Sequence, residues 1–407
     1  MWVNIKIRII TLFQKVINSI AVYPAFIVLL FLTLSAWSIS FDFSDAGKQF
    51  KSQLPWLSLK DASTARSIIS VVATGIISLT VFSFSMVMIV LNQTASQMSN
   101  RILDKLIGSR FQQLVLGAFV GTIVFALLLL STIRDIDSGV QIPALSTYLL
   151  IVLTIVDIFL FIYFLHYITQ SVKYEVIIQK IFKETKQAME HSCKMKREPT
   201  PGTDTTDTIY AFGSGIYEGF NKRTLIELCN KNDCLLYMIH PLGIFIVKGT
   251  PIITVNKQLP SDVKEKIFKT LYLYTSETIK ENFFYGFKQL SEVAIKALSP
   301  GINDPGTVIE CLRALFQLYC YRACNFPNNV ILNNEMKVRI ITRELTFENI
   351  FTQTLLPIWD YGKNDRMIQL EIHSLLDQLQ SLAPNAVVGK LLHKVKLGMI
   401  DNTPGSK

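Results

Sequence analysis

Charge is thin in this 407-residue chain, at 17%, histidine occurs only five times, and the six cysteines include no CxxC pair. Each shortage excludes a class of function. There is no HExxH, no nucleophile elbow and no pair of acids at a metal-like spacing, so the expectation is a protein that is not an enzyme and calls for no metal and no cofactor. The intervals Cys229 to Cys234 and Cys320 to Cys324 lack a matching His or Cys set, which argues against structural zinc. Gly213, Gly215 and Gly243 stand in turn-like contexts that form neither a phosphate loop nor a dinucleotide fingerprint, and His240 before Pro241 reads as structural. The net charge of +9 is spread over both halves, and neither carries the basic field that nucleic acid requires.

What the chain has in excess is apolar surface, half of its residues, and that excess is concentrated near the N-terminus. Four stretches there approach or exceed the roughly 20 apolar residues that a bilayer core demands of a helix. Val16 to Phe41, Ser67 to Asn100 and Phe111 to Ile133 carry no charge, and Val140 to Val172 carries one acid, Asp157, and one histidine, His166. Hydrocarbon offers backbone groups no partner, so each stretch is expected to close its own hydrogen bonds as a helix. The expected spans are 20–40, 67–91, 112–133 and 143–168. A cleavable signal peptide is the competing reading of the first, but the run is longer than a signal core and has no clear small-x-small cleavage site.

Lys6, Arg8 and Lys15 precede span one, Arg101, Lys105 and Arg110 lie between spans two and three, and Lys173, Lys180, Lys183 and Lys186 follow span four. With four spans these segments share one side, and the positive-inside rule makes that side, with both termini, cytoplasmic. Anionic lipid headgroups are the partners that such basic residues imply. Cys193, Cys229, Cys234, Cys311, Cys320 and Cys324 all follow the last span, on the reducing side, and are expected as free thiols.

Past a transmembrane domain over 1–172, residues 173–207 read as a helical extension and a flexible linker rich in Pro, Gly, Thr and charge. Short β-prone runs with one helix between them suggest a small mixed α/β module over 208–257, and helical periodicity over 258–400 suggests a helical domain, with a disordered tail at 401–407. The expected fold is therefore an integral membrane α-helical protein with four transmembrane helices and a cytoplasmic α+β domain.

Few polar groups interrupt the spans. Ser78, Ser85, Asn92 and Ser99 recur every seven residues and mark one helical seam, with Gln93, Ser96, Gln97 and Arg101 at its end. Such a seam either lines a hydrated pathway or lets helices pack closely and bond across their interface. Asp157 is the one acid inside a span, where a charge costs roughly 2.5–3.5 kcal/mol on translocon scales. It reads either as a proton or cation relay with His166 as a second titrating group, or as a neutral acid joining two helices. His166 itself reads as interfacial or pH-sensing. In ALSPGINDPGT, Ser299, Pro300 and Gly301 stop one helix, Asn303 braces the turn, Asp304 caps the next helix and Pro305 takes its first position. The same turn leaves helix-start N–H groups that can hold an anion.

Three strings, FSFSMVMIVLNQTASQMSNRIL, IYFLHYITQSV and KQLSEVAIKALSPGINDPGT, resemble the bacterial membrane-protein family DUF2254 in order and spacing from about Ala62 to Leu315. The resemblance implies a bacterial inner-membrane protein with no assigned activity, and His166 matches the family string. The chain departs from the family at Asn100, where Pro is usual, at Gly306, where an aromatic is usual, and at Tyr167, which replaces a second His. Four helices with one polar seam make a poor solitary channel. The leading expectation is thus a homo-oligomer forming an ion or small-solute pathway regulated by its cytoplasmic domain, and the alternative is a sensor or scaffold whose spans serve only as anchor.

Overall fold

The computed structural model describes residues 22–53, 61–97, 110–133, 142–171, 173–195, 205–274 and 277–401. The chain divides between Lys173 and Tyr174 into two compact units.

The first unit is built from α1 (Val22–Phe43), the short α2 (Asp45–Gln53), α3 (Ala62–Gln97), α4 (Arg110–Thr132) and α5 (Ala144–Ser171). Among the described residues, α1, α3, α4 and α5 are long and apolar enough to cross a membrane. They lie where the uncharged runs place them, with α3 continuing beyond both ends of its expected span. Apolar side chains cover much of the outer surface, including Phe26, Val71, Phe84 and Phe159, as lipid-facing helices require.

Packing inside this unit turns on α4. Val115, Phe119, Phe125, Ala126 and Leu129 are all enclosed. Gly117 and Gly121 sit four residues apart on one face, the small-xxx-small spacing that lets two backbones approach. A Cβ at Gly117 would lie 2.6 Å from Ile27 Cδ1, and one at Gly121 would lie 2.6 Å from Phe31 Cγ. Contacts advance along both chains together, so α1 and α4 run parallel, as the first and third of four successive spans must.

Asp42 closes the end of α1. It is fully buried and accepts from Ser146 N at 2.7 Å, from Leu145 N at 3.4 Å and from Lys51 Nζ at 2.9 Å. The first N–H groups of a helix have no partner within it, and a carboxylate there is favoured by the helix dipole. One side chain thus ties α1, α2 and α5 together.

The second unit begins with α6 (Tyr174–Ser192), followed by β1 (Asp207–Tyr210), β2 (Gly215–Phe220), α7 (Lys222–Asn232), β3 (Leu236–Met238), β4 (Phe245–Ile246), β5 (Pro251–Val255), α8 (Ser261–Phe268) and β6 (Leu271–Tyr274). Then come α9 (Phe284–Ala297), α10 (Pro305–Cys324), β7 (Val330–Leu332), β8 (Val338–Ile341), α11 (Phe347–Gly362), α12 (Arg366–Leu382) and α13 (Ala386–Asp401). One sheet has the order β1-β5-β3-β8-β7 and a second the order β4-β2-β6. Leu225, Cys229, Leu236, Ile253, Val255 and Ile340 form an apolar core beneath the strands. A separate aromatic group, Phe287, Tyr319, Phe347 and Phe351, sits among α9, α10 and α11, where Tyr319 Oη is 2.6 Å from Thr354 Oγ1.

The region expected to be a helical domain from residue 258 onward also contains β6, β7 and β8. Leu271-Tyr272-Leu273-Tyr274 alternates with the strand period and pairs with β2. The β7–β8 hairpin turns at Asn333, whose side chain accepts from Glu335 N and Lys337 N, with Met336 at φ 61°. The larger sheet therefore takes strands from both sides of residue 257, with β3 and β8 paired in parallel. All six cysteines are free thiols.

Candidate functional site

The expected seam faces outward. Ser78, Ser85, Asn92 and Gln93 are exposed on α3, while Ala65, Ile69, Ala73 and Ile76 form its buried face. Ser78 Oγ donates to Thr74 O and Ser85 Oγ to Val81 O, both at 2.9 Å, so these hydroxyls are satisfied by their own helix and need neither water nor a neighbour. Ser96 and Gln97 continue the helix, and Ser99 and Arg101 lie outside the described residues. A cavity of about 160 Å³ between α3 and α4 is walled chiefly by carbon from Val87, Leu116, Phe119 and Phe164, a lining that does not favour water.

Asp157 is 2% exposed on α5, with its carboxyl turned toward Thr122 of α4. His166 is exposed on the same helix. The two expected titrating groups therefore stand in different surroundings, one enclosed and one at the surface. ALSPGINDPGT folds as a helix-to-helix turn. Asn303 has φ 45°, Asp304 accepts from Thr307 N at 3.2 Å and from Thr307 Oγ1 at 2.6 Å, and Pro305 opens α10. Asp304's own carboxylate takes the helix-start N–H that an anion would use, while Ser299 O accepts from Ile302 N and Asn303 N just past Pro300 and Gly301.

Buried polar atoms without a hydrogen-bond partner among the described residues include Ser83 Oγ and Asp157 Oδ2 in the spans and, in the second unit, a set at a break in β2. Tyr217 pairs with Leu273 and Gly219 with Tyr272, which leaves Glu218 as the extra residue of a β-bulge. Gly219 has φ 136°, a backbone state essentially confined to glycine. A bulge abolishes the strict alternation of faces and re-aims side chains. Here it lets Tyr217 and Glu218 line the same cavity of about 210 Å³, together with Phe220, Tyr272 and Arg343. A larger cavity of about 620 Å³ shares Lys222, Leu242, Glu281, Ile331, Thr342 and Glu344 with it, so the two form one cleft.

The residues of the cleft include buried polar atoms that no described residue satisfies. Tyr217 is 2% and Glu218 3% exposed. Glu218 Oε2 accepts from Thr278 N at 3.2 Å, but Oε1, Tyr217 Oη and Asn282 Nδ2 have no hydrogen-bond partner among the described residues. Such groups are rare in folded proteins and mark sites where water, an ion or a ligand completes the set. Lys288 lowers the pKa of Glu218 through space, but its ammonium is paired with Glu277 at 2.9 Å.

Burial, opposed by the Thr278 N–H and reinforced by the Glu277 carboxylate, pushes Glu218 from the usual 4.5 up to about 7. Burial also raises Glu344, although Thr342 donates to it at 2.8 Å. The sequence signal for this site was a lone glycine after an acid inside a strand-like run, GIYEGF.

A model of the family described as "Predicted membrane protein (DUF2254)" matches residues 17–378. Uncharacterised proteins of Mycobacterium bovis and Mycobacterium tuberculosis are each 22% identical over 339 residues, which is 79% of this chain. The chain spans 64% of the length of those curated relatives. No solved structure matches it.

Proposed function

We propose a function from one premise: this chain belongs to DUF2254, a family of predicted membrane proteins. It is a membrane-anchored sensor, in which the helical unit holds the chain in the bilayer and the second unit binds a small molecule in the cleft beside β2. The observation that carries this reading is that Tyr217 and Glu218 line one cavity while Tyr217 Oη and Glu218 Oε1 are buried without a partner among the described residues. No covalent chemistry is required of these groups.

The basic segments beside the spans support an inner-membrane protein with the second unit and both termini in the cytoplasm, where small metabolites are available. Hydrogen exchange on the full chain in lipid discs tests the sensor reading. Adding the small-molecule fraction of a bacterial lysate is expected to slow exchange in β2 and β6. Unchanged exchange in both strands would contradict it.

A second reading, a homo-oligomer whose α3 helices line an ion or small-solute pathway, is favoured by one observation: Ser78, Ser85 and Asn92 all face out of the helical unit. It predicts ion flux in reconstituted vesicles that Asn92→Leu abolishes without loss of assembly. Absence of flux in the parent protein would remove it.

A further inference from the structure

We infer that the cleft beside β2 binds a small zwitterion of the amino-acid class, with its ammonium group on Glu218 and its carboxylate on Lys222 and Arg343. This deepens the sensor reading and rests on it.

Size comes first. The cavity that holds Glu218 measures about 210 Å³, below the roughly 300–1,000 Å³ of sites for drug-sized ligands. It suits a compact molecule, with the adjoining cavity left for a side chain. Glu218 and Tyr217 both line it, and Glu218 Oε1 is a buried acceptor without a donor among the described residues, as Tyr217 Oη is a buried hydroxyl without a partner. An ammonium group brings several N–H donors and a charge that a carboxylate satisfies better than water held in an apolar wall. The rings of Tyr217, Phe220 and Tyr272 line the same space and favour a cation over their faces.

Charge at the opening excludes the simpler alternatives. Lys222 and Arg343 are exposed, so both reach the opening, and Arg343 Nη1 donates to Ile239 O at 3.1 Å, which fixes its guanidinium while leaving other N–H groups to turn toward the cleft. A plain amine answers Glu218 but brings no anion to these two cations. A phosphate compound meets Glu281 and Glu344 on the wall shared with the larger cavity, beside Lys222, and leaves Glu218 Oε1 unanswered. One small molecule carrying both signs answers both ends of the site.

The test uses the full chain in lipid discs and reads the melting temperature against a panel of free amino acids, with methylamine, inorganic phosphate and adenosine monophosphate as comparison ligands. Glu218→Gln removes the charge on the inner wall. Lys222→Met acts at an exposed position where folding is not at stake.

At least one amino acid is expected to stabilise the parent saturably, with affinity falling about tenfold or more in each variant, as loss of a charged hydrogen-bonding partner implies. Stabilisation by amino acids that is equal in the parent and both variants overturns the inference. So does binding of phosphate or adenosine monophosphate alone, although the sensor reading then survives if Glu218→Gln abolishes that binding. Silence from the panel together with silence from a deproteinised cell extract overturns both.

Discussion

The two units each enclose a cavity of similar size, about 160 Å³ between α3 and α4 and about 210 Å³ beside β2, with opposite walls. The first is walled almost wholly by carbon and lined by no charged side chain, although Ser83 on its wall keeps a buried hydroxyl without a partner among the described residues. The second is bordered by three carboxylates, a lysine and an arginine, and holds buried polar atoms that the fold leaves open. Volume alone does not distinguish a packing gap from a binding site, and neither does one unsatisfied hydroxyl, whereas charged side chains on the wall do.

The same contrast divides the buried acids. Asp42 is saturated by two backbone N–H groups and a lysine, while Glu218 has one oxygen bonded and one open. One is a joint. The other is a receptor group.

Substitutions at these positions break or sharpen that contrast. Asp42→Ala leaves Lys51 and the start of α5 without their acceptor, and is expected to cost about 3–5 kcal/mol, as removal of one member of a buried pair does. Thermal unfolding in detergent measures it, and a loss below about 1 kcal/mol would show that the joint is not needed.

Gly121→Ile drives a branched side chain into Phe31 and is expected to cost about 1–3 kcal/mol or disperse the protein on size exclusion. A well-folded Gly121→Ile protein would mean that α1 and α4 do not depend on close approach.

Glu218→Gln is expected to behave in the opposite sense from Asp42→Ala, neutral to stabilising by about 1 kcal/mol, because a group kept for binding is held against the interest of stability. The pH dependence follows from the same carboxyl. Its folded value of about 7 lies above the unfolded 4.5, so the folded state holds the extra proton between them. Stability from this group is present at low pH and is lost as pH rises from about 4.5 to 7, and Glu218→Gln flattens that slope. A parent whose stability rises through this window from Glu218 would refute the assignment.

The smallest effect is at the outward seam. Ser85→Ala removes a bond from a hydroxyl to its own helix and is expected to change stability by less than about 0.5 kcal/mol.

What could be read from the sequence tracks how local each determinant is. The four long helices follow from uncharged runs, and the Asp304–Pro305 helix start follows from residues three apart. Asp42 has no local signal in the sequence, because its partners at Leu145 and Ser146 lie more than a hundred residues away. The β7–β8 hairpin was hidden because runs as short as Val338 to Ile341 fit a helix or a strand, and only the parallel partner β3 decides between them.

Glu218 was missed for a related reason. A bulge exists only relative to the register of a second strand, so Gly219 carried the one local hint. Ser78, Ser85 and Asn92, spaced by seven, are all exposed on α3, but spacing alone does not say which way a face points.

Native mass spectrometry of the full chain released from detergent after exposure to a deproteinised bacterial extract tests the cleft most directly. A saturable small-mass adduct on the parent, absent from Glu218→Gln, is the predicted result. Bare protein in both cases, or the same adduct on both, would contradict a ligand site built on the bulge of β2.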